Sequence, residues 1–313
     1  MAGGIVSKIL HLLELESKYR QELIAAYLSK GMASPCVRDI SLFVSAVPGD
    51  RLTYNGLLHY YFQSVDPLSL TLLPSIRHQV LDDYDAMSIA ARDYVVEKIK
   101  KKPDSVLCLA TGSTPTFLYN LLSKEPPELF SNLRIVQLDE WRGFEDGHPA
   151  LCRTYLRSHS IAPWSIAEDR FLSFDSNPTD AEVECQRIET RLQAWGGIDL
   201  SILGLGTNGH IGFLEPNPEG LPERSHVAKL AASSQGHSML NGSPCQEGLT
   251  LGMHTLLAAR ETLLLVSGQS KATALQDAIS QPPTSLFPAS VLLRGASNVT
   301  LLCDRAAAVN TDL

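Results

Sequence analysis

The chain has 313 residues, 44% of them hydrophobic and 19% charged, with a formal net charge of -8. That length and apolar content suit one large α/β domain with an appendage, and an acidic balance without a basic tract argues against nucleic acid or an anionic membrane as main partner. The six cysteines, Cys36, Cys108, Cys152, Cys185, Cys245 and Cys303, form no CxxC pair, so buried free thiols are expected rather than disulfides or a zinc site. With no signal-peptide pattern over 1–30 and no apolar run of membrane-spanning length, we expect a soluble, cytoplasmic protein.

Residues 1–31 read as an amphipathic helix. Ile5, Ile9, Leu12, Tyr19, Leu23 and Ala26 fall on helical steps, and Gly31 is the stop. Residues 35–75 are broken by Pro35, Pro48, Pro67 and Pro74 and carry no chemical motif, so 1–75 is expected to be a partly helical N-terminal extension. From residue 76 strands alternate with helices. Asp82 or Asp83 caps a helix in which Tyr84, Met87, Ala91, Val95 and Ile99 recur at steps of three and four. A strand over 105–110 leads through Thr111-Gly112-Ser113-Thr114-Pro115 into a helix over 116–124. A second strand, 133–138, ends in Asp139-Glu140-Trp141, and the stretch 177–180 caps a helix carrying Ile188, Leu192 and Trp195. A third strand over 198–205 dissolves into a loop with Gly204, Gly206, Gly209, Gly212, His210 and Glu215. A helix over 250–259, a strand over 262–266, a helix over 269–279 and a strand over 299–303 complete the order. The alternation predicts a Rossmann-like α/β domain over 76–313, mostly parallel in its sheet, with helices on both faces and ligands at the carboxyl ends of the strands.

Several stretches carry chemistry. In 111–115 a glycine frees backbone NH groups, hydroxyls add donors, and the following helix start adds partial positive charge, which suits a phosphate; an ordinary strand-to-helix turn has the same residues. Lys271 stands in the first turn of a helix, where a cation is disfavoured and a bound anion would explain it; a solvated lysine is the plainer alternative. Asp139 ends an apolar strand, where burial would raise its pKa into the range of a usable base, while Glu140 must face the other way. A capping or salt-bridged pair would read identically. His210, among glycines, has little to pack against and suits proton transfer, with a carboxylate such as Glu215 to fix its tautomer. Gly204-x-Gly206-x-x-Gly209 matches the dinucleotide fingerprint, but Pro216 and Pro218 arrive where its helix should run, so that reading is rejected. His148, His237 and His254 lack ligand spacing, and no metal is expected.

Together, Thr111-Gly-Ser-Thr-Pro115, Leu138-Asp-Glu-Trp141, Gly206-Thr-Asn-Gly-His-Ile-Gly-Phe-Leu-Glu-Pro216 and Lys271 resemble the glucosamine-6-phosphate deaminase family, also called glucosamine/galactosamine-6-phosphate isomerases, which shares its fold with the 6-phosphogluconolactonases. The resemblance covers about 76–305. The stretches Gly248–Met253, Leu264–Gly268 and Phe287–Ser290 look closest to the galactosamine-6-phosphate branch. The resemblance implies that His210, supported by Glu215 and Asn208, opens the sugar ring, and that Asp139 moves the C2 proton to C1 through an enediol or enolamine. It implies that Thr111, Gly112, Ser113, Thr114 and Lys271 hold the phosphate. His237 lies near where glucosamine-type members carry a phosphate-binding arginine. Leu214 stands where the family usually has asparagine. The implied ligand is a small sugar phosphate, no cofactor is needed for proton shuffling, and a homo-oligomer is expected. Two alternatives stay open: a 6-phosphogluconolactonase-type hydrolase, and a non-catalytic sugar-phosphate sensor.

Overall fold

A computed structural model describes residues 76–313 with the exception of Ser297. The expected N-terminal helix, the broken segment 35–75 and Cys36 lie outside the described residues. Helix α1 (Tyr84–Lys101) begins at Asp83, whose carboxylate accepts the Ala86 N–H at 2.8 Å. It buries Met87, Ala91, Val95 and Ile99 along one stripe, and Lys98, Lys100 and Lys101 complement the dipole of its last turn. Strand β2 (Val106–Leu109) is buried at every position. Helix α2 (Ser113–Leu122) starts three residues before the sequence-based expectation of 116, because Pro115 sits within its first turn, where no intrahelical N–H is required.

The main sheet has seven strands: β1 (Arg77–Leu81), β2, β3 (Arg134–Gln137), β5 (Phe171–Leu172), β6 (Leu200–Gly204), β9 (Glu261–Val266) and β10 (Val299–Asp304). Their order is β1-β10-β9-β6-β2-β3-β5, and every pairing is parallel. Alternation along β2 splits the core in two: Val106 and Cys108 join the cluster on one face, Leu107 and Leu109 the cluster on the other. The first face packs α4 (Ala181–Ala194), α7 (Ala272–Ser280) and α8 (Pro288–Gly295); the second packs α1 and α2. The doubly covered parallel sheet expected from the alternation of elements is therefore present. Cys108, Cys152, Cys185, Cys245 and Cys303 are free and buried.

The chain departs from the expected pattern after β3. Residues 133–138 do not run on into one strand ending at Trp141. The amide of Gln137 donates to the Asp139 carbonyl at 2.7 Å and to Glu140 Oε2 at 2.9 Å, which fixes a corner at Leu138. Asp139-Glu140-Trp141 then forms β4 in a second, antiparallel sheet, order β4-β8-β7, with β7 (His226–Lys229) and β8 (Glu247–Thr250). The expected helix over 250–259 shrinks to α6 (Met253–Leu257) because Thr250 is the last residue of β8. Gly252 separates the two. A Cβ there would lie 2.1 Å from the Glu223 carbonyl oxygen, so the chain passes too close for any other residue.

The strand order sets the site. From β2 the chain runs outward through β3 to the edge strand β5, then returns to lay β6, the central strand, on the other side of β2. The crevice between β2 and β6, at their carboxyl ends, is the topological switch point at which open α/β sheets bind ligands.

Candidate active site

Four adjacent strands, β9, β6, β2 and β3, deliver the four sequence motifs at one edge of the sheet. From β2 comes Thr111–Thr114. Gly112 is the N-cap of α2, with φ 109°, and no side chain caps the helix. The Gly112 carbonyl accepts from Tyr155 Oη at 3.1 Å and Thr116 Oγ1 at 2.8 Å, and the Ser113 carbonyl from Tyr84 Oη at 2.7 Å. With its carbonyls held from behind, the turn presents the uncapped helix start forward. Thr111 contributes differently from its neighbours, since its hydroxyl donates to Cys152 Sγ at 3.2 Å. Ser113 is exposed, and Thr114 is partly so.

His237 faces this turn. Its Nδ1 accepts the Met239 N–H at 3.2 Å, so the neutral ring carries its proton on Nε2, and that atom lies 3.9 Å from where a Cβ on Gly112 would stand. Burial and the nearby Lys271 charge hold the His237 pKa below its ordinary value, so it is a neutral N–H donor. Lys271 follows β9 in a 3₁₀ turn, Gln269–Lys271, just ahead of α7. It is half-buried, its pKa is lowered by that burial, and it has no carboxylate partner among the described residues. Its loop is fixed by Asp304 at the end of β10, which accepts from the Gly268 N–H and the Ser267 hydroxyl. Uncapped helix start, neutral imidazole N–H and unpaired ammonium are donors of the kind that bind a dianion.

The loop after β6 carries His210, and the chain turns there rather than entering a helix, ending in an isolated bridge between Ile211 and Leu214. The His210 ring lies against Gly206: a Cβ there would meet ring atoms at 2.4 Å. Glu215 stands close to His210 Nδ1, with Oε2 at 3.6 Å, outside hydrogen-bond range. Asn208 joins the two elements of this loop, donating from Nδ2 to Glu215 Oε2 at 3.0 Å and accepting the His210 N–H at 3.2 Å. The His210 pKa is lowered, first by burial and further by Lys271 and His237, against the opposing pull of Glu215, so the imidazole is neutral near pH 7. Leu214 is fully buried in the main core and presents nothing polar to the site.

Asp139 is 7% exposed, and burial, with the Glu140 charge adding to it, raises its pKa to about 8. Glu140 does face the other way. Its carboxylate accepts the N–H groups of Trp141, Cys152 and Arg153 and the Gln137 amide, so it anchors β4 to α3 (Cys152–Leu156) with no cation involved. Thr250, opposite Asp139 in the β4–β8 ladder, receives the Phe213 N–H at 3.3 Å and lies 3.0 Å from a Cβ placed on Gly212, so the His210 loop rests on the strand beside Asp139. Cys152 similarly ties β4 to the 111–114 turn, with its N–H on Glu140 and its sulfur on Thr111. In the sequence Tyr84 reads only as a member of the α1 stripe, and Tyr155, Ser234 and Thr250 carry no signal as site residues. Each is a common polar residue in an unremarkable stretch, and only its partner gives it meaning. Among the described residues, no group of three or more His, Cys, Asp or Glu is placed to hold a metal ion, and no helix is long and apolar enough to cross a membrane.

Comparison with known proteins adds to this geometry. Residues 82–301 match the family model described as glucosamine-6-phosphate isomerases/6-phosphogluconolactonase. The chain is 38% identical over 229 residues to a protein of Escherichia coli (strain K12) named AgaI, covering 72% of this chain and 90% of that one. It is 36% identical over 233 residues to a glucosamine-6-phosphate deaminase of Geobacillus sp. (strain WCH70), covering 72% and 92%. Among solved structures, a monomeric glucosamine-6-phosphate deaminase superposes with TM-score 0.70 at 33% identity, over 75% of this chain and all of that one. A 6-phosphogluconolactonase from Trypanosoma cruzi, at TM-score 0.64 and 23% identity over 76% and 98%, shares the fold. The chain therefore belongs to the family of glucosamine-6-phosphate isomerases and 6-phosphogluconolactonases, and it is an enzyme.

Proposed function

We propose that this protein is an amino-sugar-6-phosphate deaminase/isomerase, converting glucosamine- or galactosamine-6-phosphate to the ketose 6-phosphate and ammonia. The observation that carries the reading is that the 111–114 turn, His210 and Lys271 follow the carboxyl ends of the adjacent parallel strands β2, β6 and β9, and that Asp139 opens β4 just past the end of the neighbouring β3. The relatives named as glucosamine-6-phosphate deaminases support it. In this reading the phosphate sits against the α2 start, His237 and Lys271. Neutral His210 takes the proton of the sugar's O1 hydroxyl and delivers one to O5, which opens the ring. Asp139, as carboxylate, removes the C2 proton to give an enolamine and returns it to C1. The resulting imine at C2 is hydrolysed by water to the ketose and ammonia. A base with a pKa near 8 is well matched to that carbon acid, because a more basic carboxylate abstracts the proton better. The reading also takes the enzyme to be cytoplasmic and to require no cofactor.

The test is ammonia release with glucosamine-6-phosphate and with galactosamine-6-phosphate, beside hydrolysis of 6-phosphogluconolactone. Ammonia from either amino sugar supports the proposal. Lactone hydrolysis without ammonia replaces it with the hydrolase alternative. Binding of all three without turnover replaces it with the sensor.

A further inference from the structure

Ser234 is absent from every motif that singles out the site, yet it touches the two groups that the ring-opening step depends on. It lies in α5 (Ala232–Gln235), is 3% exposed, and its hydroxyl oxygen is 2.5 Å from Glu215 Oε1 and 3.5 Å from His210 Nδ1. Glu215 is held on both oxygens: Oε1 by Ser234 and the Ala231 N–H at 3.2 Å, Oε2 by the Asn208 amide at 3.0 Å. A carboxylate only accepts, and a serine hydroxyl has one proton. The Ser234 proton therefore goes to Glu215, and the lone pairs on its oxygen are left facing His210 Nδ1. Glu215 Oε2, at 3.6 Å from the same nitrogen, is also an acceptor. The two oxygens that stand against Nδ1 both accept, which favours the neutral ring with its proton on Nδ1 and its lone pair on Nε2. Both contacts to Nδ1 are long, and the serine oxygen, the nearer of the two at 3.5 Å, is the one already bonded to Glu215 and needs the smaller approach to bond the ring.

We propose that Ser234 is a positioning residue that relays Glu215 to His210, holding the imidazole in its Nδ1–H tautomer and leaving Nε2 as the atom that accepts the sugar's hydroxyl proton. The chain of bonds runs from His210 Nδ1–H to Ser234 Oγ, and from Ser234 Oγ–H to Glu215 Oε1. As Nε2 gains a proton in the ring-opening step, the growing imidazolium charge is balanced through this relay. The inference rests on the reading of His210 as the ring-opening group, and one arm of its test does not.

That arm is ¹⁵N NMR of the histidine rings in the full chain, with His210 assigned by its loss in His210→Asn. The wild type is expected to show Nδ1 protonated and Nε2 bare. Ser234→Ala is expected to populate both tautomers, and Ser234→Thr, which keeps the hydroxyl, to restore the wild-type pattern. In the kinetic arm, Ser234→Ala lowers kcat for the amino-sugar phosphate about 10–100-fold, as loss of an outer-shell partner of a functional histidine typically does, with KM little changed and with recovery in the threonine variant. A wild-type ring protonated on Nε2, or an alanine variant with unchanged tautomer, overturns the proposal, and the wild-type spectrum decides it even if the alanine variant fails to fold. A wild-type enzyme that releases no ammonia refutes the functional reading instead, and leaves the tautomer measurement decisive for Ser234.

Discussion

At Asp139 two facts meet: a carboxyl group 7% exposed, and a second buried carboxylate on the next residue. Both raise its pKa, to about 8 against an ordinary 3.8. The folded state therefore holds this proton to higher pH than the unfolded chain does. The associated stability is present below the ordinary carboxylate pKa and is lost as pH rises through about 8. Asp139→Asn mimics the protonated form, so it should melt higher than wild type above pH 8 and gain nothing in acid, while ammonia release falls by roughly 10³-fold or more. Thermal melts across pH beside an ammonia assay check both halves; undiminished turnover would remove Asp139 from the chemistry. In the same site, kcat/KM should rise with pH along a limb set by the free-enzyme Asp139. Glu140→Gln, by deleting the neighbouring negative charge, should move that limb to lower pH. Among the anion donors, Lys271→Ala should raise KM for the sugar phosphate roughly 10- to 100-fold with little change in kcat, the scale of one charged hydrogen bond. An unchanged KM would place the phosphate elsewhere.

The element that concentrates the chemistry is the turn after β6, and its glycines are not equivalent. A Cβ on Gly206 would overlap the His210 ring at 2.4 Å, whereas one on Gly204 meets nothing within 4 Å. Gly206→Ala should therefore displace His210 and cut kcat by about 10²-fold, the effect of a misplaced catalytic group, with the fold retained. Gly204→Ala should leave kcat near wild type. Equal losses in the two variants would mean that the loop's flexibility, and not the room beneath the imidazole, is what matters. The small antiparallel sheet has a comparable duty. Through the Gln137 corner and the Glu140 bonds to α3, it holds Asp139 at an angle that β3 alone would not give.

For the whole molecule, a net charge of -8 gives no general attraction to an anion, so the proposed reading requires the sugar phosphate to be held locally, by helix start, imidazole and ammonium. The homo-oligomer expected from sequence is checked by sedimentation of the full chain, and a single 34.1 kDa species would withdraw it. Much of the fold follows from short-range signals. The apolar runs of β2, β6, β9 and β10, the stripe and Asp83 cap of α1, and the Asp180 cap of α4 are all local, and periodicity or capping exposes them. The short strands β4, β5, β7 and β8 carry no such period, because two to four residues are held by their partners and not by their own pattern. The side chains with reactive chemistry were likewise visible by type: a carboxylate at a strand end, a histidine among glycines, a lysine at a helix start. What the sequence by itself determined was therefore the parallel α/β class and the inventory of acids, bases and anion donors. Only the tertiary structure decided that β6 returns beside β2, that the start of α3 supplies the N–H partners of Glu140, and that Ser234, 19 residues along the chain from Glu215, stands against both Glu215 and His210. The reason is physical: propensity and periodicity act over a few residues, whereas sheet order and buried polar contacts are fixed by which distant segments pack together.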